Sequence, residues 1–67
     1  MNNKEKYEGK TIDIYAPFGG RKLDTLYVIE VMGDNLTCIY GESEISGTET
    51  AYDLSDGIRV EIVEDYK

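Results

Sequence analysis

Leu23-Asp24-Thr25-Leu26-Tyr27-Val28-Ile29-Glu30-Val31-Met32 is followed by Gly33-Asp34-Asn35 and then by Leu36-Thr37-Cys38-Ile39-Tyr40. Both apolar runs are rich in β-branched and aromatic residues, which suit a pleated, half-buried strand. Between them, Gly and Asn tolerate positive φ and Asp bonds nearby backbone, so the three residues read as a tight turn. The stretch is a β-hairpin, and it sets an all-β fold. A three-residue loop with Asn35 in the left-handed region predicts Ile29 opposite Ile39, Val28 opposite Tyr40 and Glu30 opposite Cys38. A two-residue loop would slip the pairing by one and exchange the faces. Tyr27, Ile29 and Val31 fall on one face of the first run; Leu26, Val28 and Met32 fall on the other. Apolar residues on both faces predict a strand bent to serve two sheets.

Outward from the hairpin, Lys10-Thr11-Ile12-Asp13-Ile14-Tyr15 alternates, with Ile12 and Ile14 on one face. Ala16 to Lys22 is a loop by its Pro17 and its Gly19-Gly20 pair. After the hairpin, Gly41 to Gly47 is a polar loop and Thr48 to Asp53 a strand. Leu54-Ser55-Asp56-Gly57 fits a single 3₁₀ turn. Ile58 to Val63 alternates again, with Ile58, Val60 and Ile62 inward. Five strands are therefore expected near 10–15, 23–32, 36–41, 48–53 and 58–63, with one helical turn at 54–57. No long stretch shows a 3.6-residue apolar period. Residues 1–8 are polar and read as a flexible lead-in, and 9–67 as one domain. Ile12, Ile14, Ile29, Val31, Ile39, Val60 and Ile62 form the expected core, and truncating Ile62 is expected to cost about 2–5 kcal/mol.

The 67 residues carry 7 Lys plus Arg against 14 Asp plus Glu, a net charge of −7, with no His and one Cys. Neither a Zn site of Cys and His nor an internal disulfide can be built from this set. Triads that need His are excluded. The longest apolar runs are far too short to span a membrane, and the N-terminus lacks the apolar stretch of a signal peptide. A cytoplasmic location is expected.

The charges are segregated. Residues 1–22 sum to +2, residues 23–58 to −8 with no Lys or Arg at all, and residues 59–67 to −1. Acids with no basic neighbour in sequence sustain a negative field over part of the surface. Phosphate binding needs the opposite charge, so direct nucleic-acid binding is not expected. Residues two apart on a strand point the same way, roughly 6.6 Å apart. Rows of carboxylates at such spacing approximate a row of phosphates. Glu42, Glu44, Glu49, Asp53 and Asp56 are the candidate partner-binding face, and a basic, nucleic-acid-binding protein surface is the expected partner. The plainer account of the same charges is solubility.

Catalysis has little support. Asp53, Asp56 and Gly57 miss the calcium-loop spacing, and no metal or cofactor is expected. Paired carboxylates act as acid and base only when burial separates their pKa values, and Glu42 with Glu44 or Glu61 with Glu64 looks solvated. Cys38 sits in a strand with no cation beside it in sequence, as an inert thiol does. Gly19-Gly20-Arg21-Lys22 lacks the full spacing of a phosphate loop.

Over residues 9–64 the order of elements resembles the SH3-like small β-barrels, the group that includes Tudor, chromatin-reader and KOW-type domains. The resemblance rests on that order and on Tyr52-Asp53-Leu54-Ser55-Asp56-Gly57-Ile58, which looks like the single-turn helix before the last strand of such a barrel. It implies a five-stranded barrel with a 3₁₀ turn before its last strand. A five-stranded oligonucleotide-binding barrel fits less well, because the 41–47 loop is too short for its helix. Resemblance to Tudor-like barrels implies an alternative site, an aromatic pocket of Tyr15, Phe18, Tyr40 and Tyr52 for a peptide or small cationic ligand. In size and charge the chain is also similar to small acidic inhibitors from phages and mobile elements, including some anti-CRISPR proteins. Leu26, Val28 and Met32 exceed what one small barrel covers, so a homodimer that buries them is expected.

Overall fold

The computed structural model describes residues 2–63. A short helix, α1 (Asn3–Tyr7), precedes β1 (Thr11–Tyr15), β2 (Lys22–Met32), β3 (Cys38–Ser43) and β4 (Glu49–Asp53). A 3₁₀ turn over Leu54–Asp56 then leads into β5 (Arg59–Ile62). The strands form one antiparallel sheet in the order β4-β3-β2-β1-β5. All five strands lie within two residues of their expected positions, and the 3₁₀ turn falls where Leu54-Ser55-Asp56 predicts it. The sheet is open, with β4 and β5 as its two edges.

The strand β2 does not alternate evenly, and this explains its two apolar faces. Ile14 pairs with Asp24 and Tyr15 with Lys22, so Leu23 is an extra residue. Val28 pairs with Gly41 and Glu30 with Tyr40, so Ile29 is a second one. Each bulge reverses which residues face inward. Leu26, Val28 and Val31 therefore share the core with Ile12, Ile14, Ile39 and Tyr7. Ile29 is 46% exposed. This corrects the expected core at Ile29, and it removes the premise for a homodimer, because Leu26 and Val28 are buried within a single chain.

The hairpin register differs from expectation as well. Met32 pairs with Cys38 and Val31 with Ile39, two residues along from the predicted pairing. The loop spans residues 33–37, and its positive φ values fall at Gly33 (96°) and Leu36 (54°), not at Asn35. Leu36 in that region costs about 1–2 kcal/mol. Its side chain packs against the core and its carbonyl accepts from Asn3 Nδ2 at 2.8 Å, which offsets the strain.

Residues 3–7 are helical, where a flexible lead-in was expected. The signal is present in the chain as Asn2-Asn3-Lys4-Glu5, the spacing of an N-cap followed three residues later by Glu. Asn2 Oδ1 accepts from the Glu5 amide at 2.9 Å, and Tyr7 is buried. The helix is held because β2 outruns β1. Val31 N–H donates to Glu8 Oε2 at 3.0 Å, and Lys4 Nζ donates to Val31 O at 3.4 Å. Side chains thus satisfy backbone groups that β1 is too short to reach.

The core residue Val60 is half-buried and Ile62 is 44% exposed on the edge strand β5, although Ile62 pairs with the fully buried Ile12. The expected cost at Ile62 is corrected accordingly. Ile39→Ala should lose about 2–5 kcal/mol, and Ile62→Ala less than about 1.5 kcal/mol. Chemical denaturation of both variants checks this, and equal losses would contradict the burial difference.

Candidate partner-binding face

The face of the sheet turned away from the core divides by charge. On the β1–β5 side the two described strand acids, Asp13 and Glu61, are each matched. Lys22 Nζ lies 3.4 Å from Asp13 Oδ1, and Arg59 Nη1 lies 2.8 Å from Glu61 Oε2. The Arg59 guanidinium also sits 4.6 Å from the centre of the Tyr15 ring. On α1, Lys4 pairs with Glu8 at 2.7 Å. The β3–β4 side has no such matching. Among the described residues, none of Glu30, Glu42, Glu44, Glu49, Asp53 and Asp56 forms an ion pair.

Register brings the acids together across strands. Glu42 of β3 pairs directly with Glu49 of β4, and Tyr27 of β2 pairs with Glu42 on its other side. Like charges in directly opposed positions repel. Tyr40, one same-face step along β3, donates its hydroxyl to Glu49 Oε1. That bond, with some burial and the charges of Glu49 and Glu30, pushes the Tyr40 phenol above its ordinary pKa. Glu42 and Glu44 border a shallow groove of about 500 Å³, shared with Thr11, Thr25, Tyr27, Ser43 and Gly47.

Of the five expected acidic residues, the structure gathers Glu42, Glu44 and Glu49. Asp53 lies on the Glu49 face of β4 but is engaged locally. It caps the 3₁₀ turn, accepting from the Ser55 amide at 2.9 Å and from Ser55 Oγ at 2.8 Å. Those bonds hold its carboxyl below the usual range. Asp56 is exposed within the 3₁₀ turn, off the strand.

The four expected aromatic residues do not form one pocket. Tyr15 is covered by Arg59 on β1, and Phe18 is 88% exposed in the β1–β2 loop. Tyr40 belongs to the acidic face, whereas Tyr52 turns to the core side and donates its hydroxyl to Asp24 Oδ2 at 2.7 Å.

Asp24 escaped the sequence reading, which counted it only as one of the unmatched acids. It is buried, 3% exposed. Ser43 Oγ donates to Oδ2 at 2.6 Å and the Thr25 amide to Oδ1 at 2.7 Å, with a longer bond of 3.5 Å from the Ile45 amide. Burial opposes its charge most strongly. The bonds from Ser43, Tyr52, Thr25 and Ile45 outweigh it together and hold the carboxyl below its ordinary value. Burial, then the bond to Asp24, pushes the Tyr52 phenol up to about 12. Nothing in the sequence singles Asp24 out, since Glu30 stands in the same strand and is exposed; once buried, the charge must be hydrogen-bonded. This network ties β2, β3 and β4 together, and among the described residues no buried side-chain polar atom lacks a partner.

Cys38 is half-buried and free. Among the described residues there is no cluster of three or more metal-ligating side chains, and no helix is long and apolar enough to cross a membrane. No family model, no curated protein and no solved structure matches the chain.

Proposed function

We propose that this is a small acidic binding protein whose β3–β4 face docks on a basic protein surface, one that otherwise holds nucleic acid. The observation that carries this is the opposition of Glu42 and Glu49 with no cation matched to either among the described residues. A solubility surface needs charge but gains nothing from placing two carboxylates where each destabilises the other. Strand order and the 3₁₀ turn before β5 support placing the fold with the SH3-like small barrels, in an open form. Size and charge fit an inhibitor of the phage and mobile-element type, acting by phosphate mimicry in a cell's cytoplasm.

The repulsion gives a test in which stability and binding move in opposite directions. Glu42→Lys should raise Tm by roughly 1–5 °C by turning a repulsive cross-strand pair into an attractive one. The same variant should slow association with a basic partner retrieved by affinity capture, because the steering field is weakened. Wild-type association should slow as salt rises, and the bound protein should displace nucleic acid from the partner. Tyr15→Ala with Phe18→Ala should matter less. Salt-independent binding by Glu42→Lys at the wild-type rate would overturn the acidic-face reading.

A further inference from the structure

The edge strand β4 offers more than charge. Just beyond the two ends of its ladder with β3, Leu54 N–H donates to Thr37 O at 2.8 Å and Ser43 N–H donates to Thr48 O at 2.9 Å. These bonds set the phase of the ladder. Antiparallel pairs alternate between hydrogen-bonded and non-bonded. In the register Cys38↔Asp53 to Glu42↔Glu49, the bonded pairs are therefore Gly41↔Thr50 and Ile39↔Tyr52. Glu49, Ala51 and Asp53 turn their N–H and C=O groups the other way, to the open edge of the sheet. Among the described residues nothing pairs with that edge. Ala51, at its centre, is exposed.

The residues that present free backbone groups are thus the ones whose side chains stand on the acidic face. An extended chain added there meets unpaired donors and acceptors along its backbone and carboxylates beside it. Charge decides the occupant. A second copy of β4 laid antiparallel about Ala51 sets Glu49 against Asp53 of its mate twice over, beside the existing Glu42–Glu49 opposition. Charged side chains on an edge are the usual bar to such self-pairing. A strand with Lys or Arg at alternate positions turns the same carboxylates into attractive cross-strand partners.

We propose that β4 accepts an extended basic segment of the partner as a sixth strand, its alternate cations lying beside Glu49 and Asp53. This rests on the acidic-face reading and adds to it a binding mode, strand addition.

The probe is a capped seven-residue peptide of alternating Lys and Val, compared with the same peptide N-methylated at alternate residues. The two carry equal charge, but N-methylation removes one edge of backbone donors. On the protein side, Ala51→Pro deletes an edge-facing N–H without touching a bond to β3, a position at which an edge strand tolerates proline. The plain peptide should bind at low salt and shift the amide resonances of Glu49, Ala51 and Asp53. N-methylation and Ala51→Pro should each weaken it about tenfold or more. The N-methylated peptide is tested on the unaltered protein, so the comparison holds even if Ala51→Pro folds poorly. Equal binding of both peptides, lost only on Glu42→Lys, would overturn strand addition and leave the acidic face intact. Failure of the plain peptide to bind at low salt would also overturn it, while the acidic face still answers to the salt and displacement measurements. A dimer of the protein alone that Ala51→Pro abolishes would overturn the basic occupant in favour of a second copy.

Discussion

Asp24→Leu should leave the protein largely unfolded at room temperature. The substitution strands the Ser43 hydroxyl, the Thr25 amide and the Tyr52 hydroxyl, which now donate to Asp24. Each buried donor without an acceptor costs about 1–3 kcal/mol. Even partial relaxation leaves a loss of about 3–5 kcal/mol, against a total stability of a few kcal/mol for a domain of this size. Asp24→Asn, which keeps one carbonyl acceptor, should lose less. Urea midpoints for the two variants check the order, and a Leu variant as stable as the Asn variant would mean the network is not what holds β2 to β3 and β4.

The same network fixes the pH behaviour. The folded pKa of Asp24 is depressed, so its contribution is present above the ordinary carboxylate value of 3.8 and is lost as pH falls through the folded value. The Tyr52 phenol moves the other way, from 10.0 to about 12. Its contribution is full below pH 10 and lost as pH rises toward 12. Tyr52→Phe should shrink that alkaline limb to the part that the raised Tyr40 phenol contributes. It should also start acid unfolding at a higher pH, because the carboxylate has lost one of its donors. Circular dichroism against pH reads both limbs, and an unchanged alkaline limb in Tyr52→Phe would assign it elsewhere.

What the chain declares openly is its alternation. Ile12 and Ile14 are buried, and Leu54-Ser55-Asp56-Gly57 forms its turn where local chemistry says it must. The strand β2 was harder, because a bulge is one residue of excess length and leaves no mark of its own. Leu26, Val28 and Val31 read as members of opposite faces until Ile29 is set outside the count. Once it is, Val31 joins Leu26 and Val28 in the core and Ile29 leaves it, and the shifted register carries the hairpin loop from three residues to five. The acidic face shows the same limit. Sequence spacing pairs Glu42 with Glu44 and Glu49 with Asp53 along their strands. The opposition of Glu42 and Glu49 depends on how β3 and β4 align, which the loop between them decides. Asp24 and Asp53 look like their neighbours in any charge count, yet one is buried and the other caps a turn.

Gly41→Ala should be the most damaging single-methyl change in the chain. A Cβ at Gly41 falls 2.0 Å from Tyr27 O, 2.7 Å from Tyr27 C and 2.9 Å from Val28 Cα. All three are backbone atoms, so no side chain can swing aside to make room. Gly41 pairs with Val28 immediately before the bulge at Ile29. Relief requires β3 to lift from β2, which loosens the ladder that carries Glu42 and the Ser43 bond to Asp24. Overpacking of side chains costs about 1–3 kcal/mol, and a clash with fixed backbone belongs at or above the top of that range. Gly47→Ala is the control. It has positive φ (73°) and nothing within 4 Å of its Cβ, so it bears only the conformational cost of about 1–2 kcal/mol. Denaturant midpoints should rank Gly41→Ala well below Gly47→Ala. The Gly41 variant should also weaken acidic-face binding beyond what its unfolded fraction explains, because Glu42 is displaced with its strand. Midpoints in the reverse order would mean β2 and β3 can separate at Gly41 without loss, and that the bulge, not the close approach, sets their register.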